Sequence, residues 1–268
     1  MIHRLDAGCF GKKIVCSVIG CGGNGSQMLT GLARLDHALR ALGQEGLYVH
    51  AIDPDHVSPA NVGRQLFSPA DVGRNKAEVL ITRINAFYGT GWEASPRAFR
   101  SMDARVHFLI TCIDTRLGRA IINDSITRRH GFSGYIKPHY WMDLGNRAED
   151  GQVIIGQPAA GREWKRKKDR LPTVAELLPE IIKPGREDNT PSCSLAEALE
   201  KQHLFVNQAV TTAALQILWQ LLRAGVIDWH GAFINLKTGR TTPLPVDPQA
   251  WERMRTPTKA SPKRKEKS

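Results

Sequence analysis

Asp53 and Asp55 are followed within a short stretch by Asn61, Arg64, Gln65 and Lys76, and preceded by the glycine run Gly20-Cys21-Gly22-Gly23-Asn24-Gly25. These residue types at these spacings point to a nucleotide. Glycines in a Gly-x-Gly-x-x-Gly pattern let backbone N–H groups and a helix N-terminus approach a phosphate, although the same pattern also describes a tight turn with no ligand. A carboxylate at the end of the second strand of such a unit is placed to take a ribose hydroxyl, and Asp53 holds that position. Up to this point a dehydrogenase reads the same way. Arg64 and Lys76 separate the two, because cations suit the β- and γ-phosphates of a triphosphate, whose charge rises during transfer. A further carboxylate, Asp114, ends the apolar run Phe108 to Ile113. It suits Mg²⁺ held against the phosphates, or the N-cap of a helix starting near Arg116.

The elements that must position these groups follow from periodicity. Ile14 to Ile19 is a short apolar run, and Ser26 to Leu42 carries Met28, Leu29, Leu32, Leu35, Leu39 and Leu42 at helical spacing, so the glycines sit at a strand-to-helix turn. Strands are expected near 13–19, 47–52, 92–99 and 107–113, and helices near 24–42, 74–88 and 116–129. Tyr140 to Leu144 and Gly151 to Gly156 read as further strands, the second a candidate for antiparallel pairing. A helix from about Leu195 to Ala224 and a late strand Ala232 to Leu236, closed by a turn at Lys237-Thr238-Gly239, follow. The alternation predicts an α/β fold: a doubly wound, Rossmann-like, mostly parallel sheet with a crossing segment and late antiparallel strands.

Taken in order, Gly20 to Gly25, Asp53-x-Asp55, Asn61-x-x-Arg64-Gln65, Lys76 and Cys112-Ile113-Asp114 with Arg119 and Asn123 resemble the adenylation domain of the ThiF/MoeB and ubiquitin-activating-enzyme superfamily. The match runs over most of residues 13 to 160. The resemblance implies ATP and Mg²⁺ binding and adenylation of the C-terminal glycine carboxylate of a ubiquitin-like or sulfur-carrier protein, by a homodimer. By position, Asp53 binds the ribose, Asn61, Arg64 and Lys76 contact the phosphates, and Asp114 positions Mg²⁺. Gly20, Gly22, Gly23, Asn24, Gly25, Asp55 and Gln65 complete the implied nucleotide set. With Ser192-Cys193-Ser194-Leu195-Ala196-Glu197, the chain is similar to the ThiF-family member of the plasmid-borne PRTRC system. Three departures stand out. Ile113-Asp114-Thr115 replaces the usual Thr-Asp-Asn, no Cys-x-x-Cys pair exists for a four-cysteine zinc, and Arg4 is the one early arginine placed to serve a partner's site. Mixed histidine ligation of zinc stays open.

With the resemblance marking a nucleotide-binding adenylation domain over 1–157, the charge and prolines predict a mobile crossing segment over 158–192, the periodicity a C-terminal helix and strand over 193–249 completing the same domain, and the Lys-, Pro- and Ser-rich composition a basic disordered tail over 250–268. The tail and the stretch Arg162 to Arg170 contribute +5 and +4 of the net charge of +11. No aromatic residue follows Trp251 to stack on bases, so a solubilising end is favoured over nucleic-acid binding. No apolar stretch is long enough to span a bilayer, and five scattered cysteines in 268 residues suit a reducing cytoplasm.

Cys193 stands at the start of the late helix, where the helix N-terminus lowers a thiol's pKa. It is either the acceptor of an activated carrier as a thioester or an unreactive cysteine. Three function classes follow: a carboxylate-adenylating enzyme, a NAD- or FAD-dependent oxidoreductase, and a non-catalytic nucleotide-binding module of plasmid maintenance. The cations Arg64 and Lys76 favour the first.

Overall fold

The computed structural model describes residues 1–102, 105–127, 138–159, 170–185 and 195–255. Its strands are β1 (His3–Arg4), β2 (Ile14–Ile19), β3 (Leu47–Ile52), β4 (Glu93–Ser95), β5 (Phe108–Thr111), β6 (Tyr140–Asn146), β7 (Asp150–Gly156), β8 (Val226–Ile227), β9 (Trp229–Asn235) and β10 (Arg240–Pro245). Its helices are α1 (Gly23–Ala41), α2 (Lys76–Tyr88), α3 (Arg116–Thr127), α4 (Val174–Leu177), α5 (Leu195–Lys201), α6 (Val206–Ala224) and α7 (Pro248–Arg255).

An eight-stranded sheet in the order β10-β9-β7-β6-β5-β2-β3-β4 forms the centre. From β4 to β6 all neighbours are parallel, and β7, β9 and β10 add on antiparallel. Parallel strands covered on both faces need continuous apolar runs, which is why Ile14–Ile19 and Phe108–Thr111 do not alternate. Ile19 pairs with both Ile52 and Thr111, so three strand ends are level and Gly20, Asp53 and Cys112 leave the sheet together. The chain leaves β2 for β3 on one side and later reaches β5 on the other, which opens a crevice between them. On one face α1 packs against α6, close enough that a Cβ on Gly31 would lie 2.1 Å from Leu215 Cδ1. α2 is held by Asn75, whose side chain accepts from the Glu78 N–H, and ends at Gly89 with φ 65°.

The structure departs from the sequence expectations at several points, the late strand among them, which runs over Trp229–Asn235. The edge strand expected over 92–99 is only Glu93–Ser95, because Pro96 removes a donor. The strand expected to reach Ile113 stops at Thr111, leaving Asp114 on a loop. The helix expected over 195–224 breaks at Gln202–Phe205, where the His203 N–H turns to the Ala148 carbonyl. The tail expected to be disordered from 250 is helical through Arg255, with Trp251 buried. Within the segment expected to be mobile over 158–192, residues 170–182 are packed: Leu171, Val174 and Leu177 are buried in the core, Arg170 pairs with Glu176, and the Thr173 N–H is capped by Glu176. Burial pushes the Glu176 carboxyl up, but Arg170 and the Thr173 donors more than offset it and hold it below the usual range.

Candidate active site

β2 delivers the glycine turn. Gly20 has φ +88°, and a Cβ there would lie 2.8 Å from the Cys112 carbonyl oxygen, so glycine is what lets two strand ends meet. A Cβ on Gly25 would come within 1.9 Å of the Gly20 carbonyl oxygen, which fixes that glycine as well. α1 begins at Gly23 with Gly22 as N-cap and no side-chain cap, so its first-turn N–H groups are left for something else.

β3 delivers Asp53. The carboxylate is 4% exposed and accepts from the Cys21 N–H and, at 2.8 Å, from the Asp55 N–H. Burial raises its pKa above the ordinary carboxylate value, against the pull of those two N–H groups and of Lys76. Lys76, buried at the first position of α2, places Nζ 3.1 Å from Asp55 Oδ2. Asn75 donates from Nδ2 to the carbonyls of Asp53 and Asp55 at 2.9 and 3.0 Å, tying that turn to the helix. Asn61 is buried, and its Oδ1 accepts from the Ser58 N–H at 2.9 Å, fastening the turn Pro59–Asn61.

Arg64 reaches across the cleft. Its Nη1 donates to Gln202 Oε1 at 2.5 Å, its Nε is buried without a partner, and burial lowers the guanidinium pKa. Gln202, in the break between α5 and α6, also donates to the Arg147 carbonyl at 3.4 Å. Asp114 is exposed on the loop after β5. The cap of α3 falls instead to Thr115, whose Oγ1 accepts from the Gly118 N–H at 3.1 Å. Beneath that loop lies a buried ion pair: Arg119 Nε stands 3.1 Å from both oxygens of Asp143, and Nη2 donates to the Ile113 carbonyl at 2.6 Å. Thr111 Oγ1 adds a bond to Asp143 Oδ1 at 2.6 Å.

These groups line one cleft of about 1340 Å³ at the carboxyl edge of the parallel strands. It brings together Gly20, Gly22, Gly23, Asn24, Asp53, Asp55, Asn61, Arg64, Gln65, Lys76 and Asp114; Gly25, not among the lining residues, is the third residue of α1. Cys193 lies outside the described residues. Burial, the largest cause in each case, raises the thiols of Cys16, Cys21 and Cys112, and pushes Cys9 up to about 12, so none of these four is a thiolate near neutral pH. The sequence reading did not single out Gln202, Asn207, Asn146 or Asp143 for the site. Gln202, in the break before α6, and Asn207, on α6 whose dominant signal is its apolar stripe, are far away in sequence, and nothing local marks them.

The cleft suits a polar ligand. Six buried side-chain atoms among the described residues have no hydrogen-bond partner, and four of them, on Asn24, Arg64, Gln65 and Asn207, line it. No group of three or more His, Cys, Asp or Glu that could hold a metal is present among the described residues. A lone exposed carboxylate such as Asp114 fits Mg²⁺ only where substrate phosphates supply the other oxygens.

The model of the ThiF family matches residues 12–243. Among solved structures, E. coli MccB with succinimide is similar at a TM-score of 0.56 and 15% identity, over 87% of this chain and 64% of that one. E. coli MccB with ATP gives 0.55 and 14%, over 88% and 64%, and PaaA gives 0.54 and 14%, over 88% and 65%. The chain thus spans a little under two thirds of the length of these neighbours, and at such identities the likeness is one of fold. No curated protein matches. Among the described residues no helix is long and apolar enough to cross a membrane.

Proposed function

The chain belongs to the ThiF family, and from that premise we propose that it binds ATP in the cleft and adenylates the C-terminal carboxylate of a small protein or peptide. The observation that carries this reading is the convergence of Asp53, Arg64, Lys76 and Asp114 with an uncapped helix start on one cleft. That E. coli MccB has been solved with ATP and with MccA supports it.

A carboxylate oxygen attacks the α-phosphorus, the bond from that phosphorus to the bridging oxygen breaks, and pyrophosphate leaves with the electron pair. No proton moves, so the protein contributes position and charge rather than an acid–base pair. Asp53 takes the ribose hydroxyls. Lys76 and Arg64 neutralise the departing phosphates, Lys76 leaving Asp55 and Arg64 leaving Gln202 as they do so. Mg²⁺, when held by Asp114 and phosphate oxygens, supplies further charge neutralisation on the leaving group. A carrier ending in glycine, a homodimer and a place in the PRTRC system are parts of the same proposal. So is thioester transfer to Cys193, in which its thiolate sulfur attacks the acyl-adenylate carbonyl, the bond from that carbon to the phosphate oxygen breaks and AMP leaves; the other four thiols are held protonated by burial.

The test is titration with ATP and with NAD, followed by ATP–pyrophosphate exchange in the presence of candidate carriers. ATP binding tighter than NAD and carrier-dependent exchange are expected, with exchange lost by a factor of about 10² to 10³ in a folded Asp114→Ala variant. Tighter NAD binding, or wild-type exchange in that variant, rejects the assignment. Cys193→Ala should keep exchange and lose any adduct that reductant cleaves; an adduct that persists removes the thioester step.

A further inference from the structure

Three carboxamides surround the start of α1. Asn24, Gln65 and Asn207 are 6%, 6% and 3% exposed, and all line the cleft. Asn24 Oδ1, Gln65 Oε1 and Asn207 Nδ2 have no hydrogen-bond partner. The Asn207 amide lies on Gly23, where a Cβ would come within 2.4 Å of Nδ2, and the Gln65 amide faces Gly22, where a Cβ would stand 3.8 Å away. Asn24 is oriented by donation from Nδ2 to Asn146 Oδ1 at 2.8 Å. Buried amide atoms left unpaired are costly, and three in one place imply an occupant that pairs them.

What is missing defines that occupant. Two acceptors and one donor need a ligand that offers hydrogen-bond donors as well as an acceptor; phosphate oxygens offer acceptors only, and the ribose hydroxyls are assigned to Asp53, which leaves the adenine edge as the nucleotide's competing group. A peptide main chain offers both in alternation. The location agrees: Asp53, Asp55 and Lys76 follow β3, whereas Asn146 ends β6 and Asn207 opens α6, which packs on β7 so tightly that a Cβ on Gly151 would lie 2.4 Å from Val210 Cγ2. Asn146 and Asn207 therefore extend the cleft away from the carboxylate assigned to the ribose, while Gln65, in the stretch after β3, faces Gly22 and closes the subsite on the nucleotide side.

We infer that Asn24, Gln65 and Asn207 form a subsite that reads the main chain of the acyl substrate's last residues. Peptide N–H groups donate to Asn24 Oδ1 and Gln65 Oε1, a peptide carbonyl accepts from Asn207 Nδ2, and the terminal carboxylate meets the uncapped N-terminus of α1. Asn24 and Gln65 thereby pass from the nucleotide to the peptide. The inference rests on the adenylation reading for the direction of the tail. Its consequence is a substrate chosen by an extended, unblocked main chain rather than by side chains.

The experiment titrates a fluorescein-labelled hexapeptide ending in Gly-Gly, and its analogue with the last peptide N–H replaced by an ester oxygen, into the full-length chain; ATP is titrated separately. The hexapeptide should bind wild type, and the ester analogue about tenfold more weakly, the cost of one buried unpaired acceptor. Asn207→Leu, an uncharged side chain of similar size without the donor, should weaken the hexapeptide by about tenfold or more and leave ATP affinity unchanged. The ester arm needs no variant, so it stands even where Asn207→Leu unfolds. ATP weakened by Asn207→Leu with peptide affinity unmoved assigns the amides to the nucleotide and overturns the inference. So does equal binding of peptide and ester, or ATP binding with no peptide binding. Peptide binding sensitive to Asn207→Leu without any ATP binding upholds the subsite while removing the adenylation reading.

Discussion

The two ends of the central sheet carry polar clusters of similar size that are built differently. At the amino edge, Tyr140 OH lies 2.9 Å from His3 Nε2 and accepts from the Asp6 N–H at 2.8 Å, Asp6 Oδ1 stands 3.0 Å from His139 Nδ1, and the Val15 N–H donates to His107 Nδ1 at 2.9 Å. The rings of His107 and His139 stack at 5.5 Å. These groups close on one another. At the carboxyl edge, Asn24, Arg64, Gln65 and Asn207 each keep an unpaired buried atom. Neither end is uniform: the carboxyl edge also holds Arg119 and Asp143 paired with each other, and among the described residues the amino edge holds two unpaired atoms, His230 Nε2 and Arg170 Nε, the latter beside the Gln157 carbonyl that follows β7. The difference teaches that pairing, not polarity or burial, separates groups that hold this fold from groups that await a ligand.

The largest effect should come from the paired group inside the site. In Arg119→Leu, Asp143, 0% exposed, would be left as an uncompensated buried charge, at a cost of about 3–5 kcal/mol. The loop from Cys112 to Thr115 would lose its anchor at the Ile113 carbonyl as well. Chemical denaturation should therefore show a large loss of stability, whereas Asn207→Leu, which buries no charge, should change ligand affinity far more than stability. An Arg119→Leu protein as stable as wild type breaks the comparison.

Much of the fold is legible in the sequence because its strongest signals are local. Ile14–Ile19, Leu47–Ile52 and the helix after Gly25 announce themselves by apolar run and period, and the glycines do so by the backbone approach they permit. β10 is not legible: Thr241, Thr242, Pro243 and Pro245 read as loop, and they form a strand because an edge position beside β9 tolerates prolines. The break at Gln202–Phe205 is hidden because its cause, the Ala148 carbonyl, lies in another part of the chain. The same holds for the site. Asp53, Arg64 and Lys76 sit in one contiguous motif, whereas Asn207 reaches the cleft through the packing of α1 against α6, and Gln202 through the break whose His203 N–H bonds the Ala148 carbonyl.

A smaller effect should follow at the amino edge. Tyr140→Phe keeps the ring stacked on Phe108, at a centroid distance of 4.9 Å, and removes only the hydroxyl that serves His3 and the Asp6 N–H. Leaving those groups without that partner should cost about 2 kcal/mol and lower the melting temperature by several degrees. ATP affinity and pyrophosphate exchange should not change. Loss of exchange in a folded Tyr140→Phe protein would tie this cluster to the site and erase the contrast between the two ends.

The smallest effect at neutral pH, and the one that sharpens the comparison most finely, concerns His230. Its Nδ1 bonds the Ile155 carbonyl at 2.8 Å, its ring meets Trp251 edge-on at 5.3 Å, and Nε2 has no partner. Burial, reinforced by His3 and opposed by the Ile155 carbonyl, lowers its pKa to about 4. Below the unfolded value of about 6.5 the unfolded chain takes up a proton that the folded chain refuses, so stability falls as pH drops from about 6.5 towards 4, by at most about 1.4 kcal/mol per pH unit. Asp53, whose raised pKa has the opposite sign, offsets part of this in the acid range, so the difference between wild type and a variant is the quantity to measure. His230→Gln keeps an amide donor for the Ile155 carbonyl and cannot titrate. The gap in stability between wild type and His230→Gln should therefore shift in favour of the variant as the pH is lowered from 7 to 4.5. Parallel profiles would mean that the imidazole is paired or protonated in the folded chain, leaving Arg170 Nε as the unpaired atom of the amino edge among the described residues.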